Sequence, residues 1–235
     1  MRLAIVGYGK MGRLLDRLSA EAGFEVAGRF DLGYTEEDLR AAAPDVAIEF
    51  STPEAAVANL ELLARCGVPA VCGTTGWYGE LDRVRAIVQR HDALLVYGAN
   101  YSIGVNVFQR VVAEAARLLR DEAAYGAWAW EIHHDAKKDA PSGTLIKLVE
   151  AMKDAGYSRT INVSSNRAGM HPGTHEIGFD SAEDTITLRH AARSRDGFAR
   201  GALKAARWAA DQARAGRRGV FEFSQILFSG GAVCS

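Results

Sequence analysis

Apolar residues in the first hundred positions fall into short runs, separated by stretches in which they recur at three- and four-residue spacing. The runs predict strands near Leu3–Val6, Phe24–Phe30, Asp45–Ser51, Val68–Cys72 and Ala93–Tyr97. Between the third and fourth, Pro53 to Cys66 carries Ala55, Ala56, Leu60, Leu62 and Leu63 on one helical face, behind a Ser51–Thr52 pair able to cap it. A second helical pattern runs from Arg13 to Ala22. Alternating strands and helices predict an α/β fold: a Rossmann-like parallel sheet covered on both faces, with ligands bound beyond the carboxyl ends of its strands.

After Asn106 the pattern changes. One long helix is expected to about Arg120, then strands near Ala127–His133, Thr160–Ser164, Thr174–Phe179 and Thr185–His190. The alternation in Thr185-Ile186-Thr187-Leu188 suits a sheet with one covered face. This predicts a second, α+β domain over 105–204, following a dinucleotide-binding domain over 1–104. A last helical pattern, Gly197 to Ala215, and the apolar tail Val220 to Phe228 return the chain to the first domain, completing it over about 205–235.

The 235 residues suffice for a core without disulfides. Cys66, Cys72 and Cys234 are odd in number and show no C-x-x-C spacing, which favours a reducing, cytoplasmic setting. The apolar run Leu3–Val6 is too short for a signal segment, and no stretch approaches a membrane span. With a net charge of −1 and no basic stripe, neither a nucleic acid nor a membrane is an expected partner.

The first strand runs into GYGKMG, Gly7 to Gly12. Gly7 permits the turn, Gly9 lets backbone approach a pyrophosphate, Gly12 lets helix pack on strand, and Lys10 and Met11 carry amides of the loop. Asp31 closes the second strand nineteen residues after Gly12, where a carboxylate can accept hydrogen bonds from an adenosine ribose. Two more loops, Gly73 to Gly76 (GTTG) and Gly98 to Asn106 (GANYSIGVN), fall at strand ends on the same expected edge.

The densest chemistry lies in EIHHDAKKDAPSGT, Glu131 to Thr144. Pro141-Ser142-Gly143-Thr144 reads as a turn and helix N-terminus with free N–H groups and two hydroxyls, a seat for a carboxylate reinforced by Lys137 and Lys138. A histidine beside it suits proton transfer. Zinc is not expected: adjacent histidines on a strand face opposite ways, and no third soft ligand lies at a useful spacing.

This segment, with GYGKMG, IEFSTPEA from Ile48 to Ala55, GTTG, ANYSIGVNV from Ala99 to Val107, Arg167-Ala168-Gly169 and Gly173-Thr174-His175, resembles the 4-hydroxy-tetrahydrodipicolinate reductases over nearly the whole chain. The resemblance implies an NADH- or NADPH-dependent oxidoreductase of the diaminopimelate route to lysine, a homotetramer joined through its second-domain sheets, whose small-molecule substrate is a cyclic dicarboxylate. It implies acid/base work for His133, a proton donor in Lys137, substrate contacts from His134, Gly143 and Thr144, and cofactor contacts from Gly73, Thr74, Thr75, Gly98, Ala99, Asn100 and Tyr101. Ser142 belongs to the turn expected to hold a carboxylate. The chain departs from the family in its shorter glycine loop, G-x-G-x-x-G for G-x-x-G-x-x-G, and in Asp135, where a basic residue is frequent.

Either His133 or Lys137 then supplies the proton that accompanies hydride transfer. For the cofactor, Asp31 repels a 2′-phosphate while Lys10 and Arg29 oppose it as cations, and Leu32 stands where a basic residue is frequent; acceptance of both cofactors with a modest NADH preference is expected. Two other readings are an aspartate dehydrogenase-like reductase and a non-catalytic nucleotide-sensing module.

Overall fold

The computed structural model describes residues 1–228. In chain order the elements are β1 (Arg2–Val6), α1 (Lys10–Ser19), β2 (Glu25–Phe30), α2 (Glu36–Ala42), β3 (Val46–Glu49), α3 (Pro53–Arg65), β4 (Ala70–Cys72), α4 (Leu81–Arg90), β5 (Leu94–Tyr97), α5 (Ile103–Leu119), β6 (Gly126–His133), α6 (Gly143–Asp154), β7 (Ile161–Arg167), β8 (Thr174–Asp180), β9 (Thr185–Ala191), α7 (Asp196–Arg214), β10 (Gly219–Glu222) and α8 (Phe223–Phe228). They form two compact units: residues 1–102 with those from Phe198 onward, and residues 103–197.

The first unit holds a six-stranded sheet in the order β10-β5-β4-β3-β1-β2, every pair parallel. Side chains alternate across β1: Leu3 and Ile5 join Leu15, Leu18, Ala202 and Ala206 on one face, while Ala4 and Val6 join Leu60, Leu63, Val84 and Ile87 on the other. Each fully buried Val, Leu or Ile here stabilises the unit by about 1.5–3 kcal/mol. The chain crosses from β2, at the sheet edge, over β1 to β3. That reversal opens a crevice beyond the carboxyl ends of β1 and β3, the place where such sheets bind ligands.

In the second unit the mixed sheet runs β7-β6-β8-β9, with β6 and β7 parallel and the other pairs antiparallel. Ala127, Ala129, Ile177 and Phe179 meet Phe108 and Val112 of α5 and Leu145, Leu148 and Met152 of α6.

Several local expectations need correction. The first helix begins at Lys10, three residues before the apolar periodicity makes it visible, because its opening turn is the glycine loop itself. Helices α2 and α4 were not anticipated. The first carries a full capping box, with Thr35 Oγ1 accepting from the Asp38 N–H and the Asp38 carboxylate accepting from the Thr35 N–H; the second buries only Val84, Ile87 and Val88. The return to the first unit begins at Phe198, not near 205, since Ala199, Ala202 and Leu203 are already core residues. The apolar tail is a strand and a helix, β10 and α8. Residues 229–235, the end of the expected completion, and Cys234 among them, lie outside the described residues.

Candidate active site

The crest of the first unit is built from backbone. Gly7 takes φ +86°, and a Cβ there would lie 2.1 Å from the Phe50 carbonyl oxygen. A Cβ on Gly12 would lie 2.2 Å from the Gly7 oxygen, so both positions demand glycine. Gly9 is the N-cap of α1, and a Cβ there would meet nothing within 4 Å: its outer side is open. Lys10 and Met11 therefore present first-turn N–H groups, and the helix dipole, to open space above Gly9, a fitting cradle for a dinucleotide pyrophosphate.

Neighbouring strand ends complete the crest. Gly73 N–H donates to the Glu49 carbonyl (2.9 Å), and a Cβ on Gly73 would lie 2.0 Å from the Phe50 ring. Thr75 and Ala99 are exposed, whereas Thr74 is buried, its Oγ1 accepting from the Ser51 N–H at 2.8 Å. Asn100 Oδ1 accepts from the Ser102 N–H at 2.8 Å, which fixes the turn after Gly98. The Tyr101 ring is buried in the core, its hydroxyl donates to the Cys72 carbonyl at 2.8 Å, and its own carbonyl packs against Gly201 of α7. Asp31 is exposed just past β2.

Sequence reasoning assigned no role to Glu49. Its fully buried carboxylate accepts from the Ser51 N–H (3.0 Å), from the Ser51 hydroxyl and from the Cys72 thiol (3.0 Å), tying the loop after β3 to β4. Burial, then the Glu49 charge, push the Cys72 thiol well above its usual range. The only hint in the sequence is an acidic residue ending an otherwise apolar run.

The second unit uses buried charge instead. Alternation along β6 puts Glu131 and His133 on the same face as Ala127 and Ala129, at the end where α6 begins. Glu131 is fully buried. Its carboxylate accepts from the Ser142 N–H (2.8 Å), the Ser142 hydroxyl and Nη2 of Arg167 (2.9 Å), and His175 Nε2 lies 3.4 Å away. Burial pushes this carboxyl up, but hydrogen bonds from His175, Ser142 and Arg167 outweigh it and hold it well below the ordinary glutamate range. Arg167 also donates to the carbonyls of Lys137 and Asp139, so one guanidinium fastens the loop between β6 and α6 to Glu131.

Nδ1 of His133 stands 3.6 Å from Glu131, beyond hydrogen-bond reach, and a Cβ on Gly173 would lie 2.9 Å from its Nε2. Gly173 thus lets backbone close over the ring. Burial, only partly offset by Glu131, lowers its pKa to about 4, so the imidazole is neutral at neutral pH. His134, half-buried, follows the strand, and its carbonyl accepts from the Lys137 N–H at 3.1 Å.

Ser142 turns inward. As N-cap of α6 its Oγ accepts from the Leu145 N–H at 3.2 Å and donates to Glu131, so its hydroxyl positions the helix and is not offered to an external carboxylate. Gly143 is exposed and Thr144 half-buried in the first turn. Both oxygens of Asp139 accept from the Lys137 ammonium, at 2.8 and 2.9 Å, and Lys137, with help from the Gly143 N–H, holds that carboxyl below its ordinary value.

Glu131, His133 and His175 bring potential ligand atoms within 4.8 Å of one another. The ground for expecting no zinc, the lack of a third ligand, therefore fails: His175 arrives from β8, directly opposite Glu131. What disfavours a metal is the Arg167 guanidinium on the same carboxylate, which a divalent cation would have to displace.

A parallel sheet with a glycine loop at the start of its first helix, in a unit separate from a mixed-sheet unit, defines a two-unit protein of the doubly wound, dinucleotide-binding class. Comparison with known proteins narrows the class. Residues 1–101 match the family model described as dihydrodipicolinate reductase, N-terminus, and residues 104–227 the one described as dihydrodipicolinate reductase, C-terminus. The chain belongs to the dihydrodipicolinate reductase family. It is 33% identical to a 4-hydroxy-tetrahydrodipicolinate reductase of Christiangramia forsetii, over 97% of this chain and 98% of the relative. To the enzyme of that name from Methanoregula boonei it is 35% identical, over 93% and 94%. Among solved structures, a dipicolinate-bound dihydrodipicolinate reductase from Paenisporosarcina sp. TG-14 superposes with a TM-score of 0.78 at 21% identity, over 94% of this chain and 97% of that one, which shows the shared fold.

Proposed function

We propose that this oxidoreductase reduces the cyclic dicarboxylate 4-hydroxy-tetrahydrodipicolinate with NADH or NADPH, within the diaminopimelate route to lysine. What supports the reading is the Lys137 ammonium, which already pairs with a carboxylate, Asp139 of its own chain, in the loop that leads into α6.

The crest of the first unit suits the dinucleotide, Gly7, Gly9, Lys10, Met11 and Gly12 around its pyrophosphate, Asp31 at the ribose, and the loops at Gly73–Thr75 and Gly98–Tyr101 beside the nicotinamide. When bound, the cofactor supplies the hydride. In the second unit the Gly143 and Thr144 N–H groups take one substrate carboxylate, Ser142 fixing the helix end that presents them. His134 orients the other end. Lys137 exchanges its internal partner Asp139 for substrate and delivers the proton. His133, neutral at neutral pH, accepts and orients hydrogen bonds, since a group already deprotonated at pH 7 is a poor acid there.

Three finer readings follow. NADH is modestly favoured, through Asp31. The chain assembles as a homotetramer through the sheet face opposite α5 and α6, where Trp128 and Trp130 remain partly exposed. It works in a reducing cytoplasm, where the Cys72 thiol can remain the donor to Glu49; no described helix is long and apolar enough to cross a membrane.

Calorimetric titration with dipicolinate, a planar dicarboxylate, tests the site. Binding to the wild-type chain that weakens at least tenfold in Lys137→Ala supports the reading; equal affinity in both proteins overturns it.

A further inference from the structure

Arg29 is the cation best placed along β2 to meet a 2′-phosphate near Asp31, yet it is engaged elsewhere. Its Nε and Nη2 donate to the two carboxylate oxygens of Asp16 on α1, at 2.7 and 2.8 Å, a bidentate fork. The hydroxyl of Tyr8, inside the glycine loop, donates to the same carboxylate. The Asp16 side chain is only 19% exposed against 49% for Arg29, so the acid is the fixed member and the guanidinium is drawn to it. Hydrogen bonds from Arg29, partly opposed by burial, keep the Asp16 carboxyl below its ordinary value, hence ionised.

A carboxylate and a phosphate present the guanidinium fork with the same pair of acceptors. Asp16 is therefore an internal competitor for the ligand Arg29 would otherwise take. With that pair closed, Asp31, which repels a phosphate, stands exposed after β2, and exposed Lys10 and Arg13 stand at the start of α1.

We propose that Asp16 is a specificity-determining residue: by holding Arg29 on α1 it withholds that cation from a cofactor 2′-phosphate and tilts the site toward the unphosphorylated dinucleotide. The inference rests on the dinucleotide reading of the glycine loop. It places the determinant on α1, outside the loop and outside the residue that ends β2.

The test is a cycle of Asp16→Asn and Arg29→Ala, each protein titrated calorimetrically with NADH and with NADPH at one ionic strength. Asn keeps an acceptor for Tyr8 while losing the charge that binds Arg29, and Asp16→Ser serves if the first variant folds poorly. Releasing one charge-assisted contact for the phosphate should raise NADPH affinity relative to NADH by roughly tenfold in Asp16→Asn. Adding Arg29→Ala should abolish that gain, whereas Arg29→Ala alone should change the ratio by less than about twofold. An unaltered ratio in Asp16→Asn, or a selective loss of NADPH binding in Arg29→Ala alone, overturns the proposal while leaving the dinucleotide site intact. Failure of the wild-type chain to bind either cofactor overturns the dinucleotide reading and this inference with it.

Discussion

The two units make their sites by opposite means. In the first, the candidate site is shaped by what side chains are absent: Gly7 and Gly12 could carry no Cβ without striking backbone about 2 Å away, and helix N–H groups are left open above Gly9. In the second, the candidate site is organised by a fully buried carboxylate, Glu131, that gathers an arginine, a serine and a histidine from three other segments. A site of the first kind is local in sequence and tolerant at its surface. One of the second kind is distributed, and sensitive at its centre.

The contrast can be broken by substitution. The largest effect is expected at Lys137: Lys137→Ala should lower turnover by roughly 10²–10⁴-fold, with cofactor affinity and melting temperature unchanged, as read by steady-state kinetics, NADH titration and thermal unfolding. Loss of cofactor binding in that variant would show that the two sites are not separable.

Glu131→Ala should act on the fold first. It leaves the Arg167 guanidinium and the Ser142 N–H without their buried partner, a loss of about 3–5 kcal/mol, measurable by urea denaturation. A change under 1 kcal/mol would show that the network does not organise the unit.

Gly12→Ala, by contrast, should weaken NADH binding and cost about 1–3 kcal/mol of stability through overpacking against the Gly7 carbonyl, while binding of the dicarboxylate probe stays as in the wild type. Equal weakening of both ligands would contradict the division of labour.

A further effect is in pH dependence. His133 titrates at about 4 in the folded chain and near 6.5 when unfolded. Between these values the unfolded chain takes up a proton that the native state refuses, so stability falls as pH drops from about 6.5 toward about 4. His190, lowered first by burial and then by His175, adds in the same direction. Urea unfolding across that window should show a shallower slope in His133→Asn, and an unchanged slope would place the titration elsewhere.

How legible each site was follows from the same contrast. The alternation of strands and helices over the first hundred residues was legible from local spacing, and the glycine loop and Asp31 were singled out from spacing within thirty-one residues. Glu131, His133, Lys137 and Ser142 were legible as a cluster of chemistry, but not their partnerships: Arg167 and His175 join only because β7 and β8 flank β6. Ser142 looked like a substrate hydroxyl because a helix N-cap and an anion seat share one sequence pattern. Its direction is decided by Glu131, eleven residues away on another element. The direction of the Tyr101 ring is illegible likewise, since a tyrosine in a polar loop gives no sign that its ring fills the core beside Phe223. Neither α2 nor α4 adds many core residues, which is why their apolar periodicity was faint.

The most direct test of the account is a steady-state assay of the wild-type chain following dihydronicotinamide absorbance, with the cyclic hydroxy-dicarboxylate and a reduced cofactor in one series and aspartate with an oxidised cofactor in another. The account predicts consumption of the reduced cofactor that saturates with the cyclic substrate, and no turnover above background with aspartate. Turnover of aspartate, or dinucleotide binding without turnover of either substrate, would contradict it.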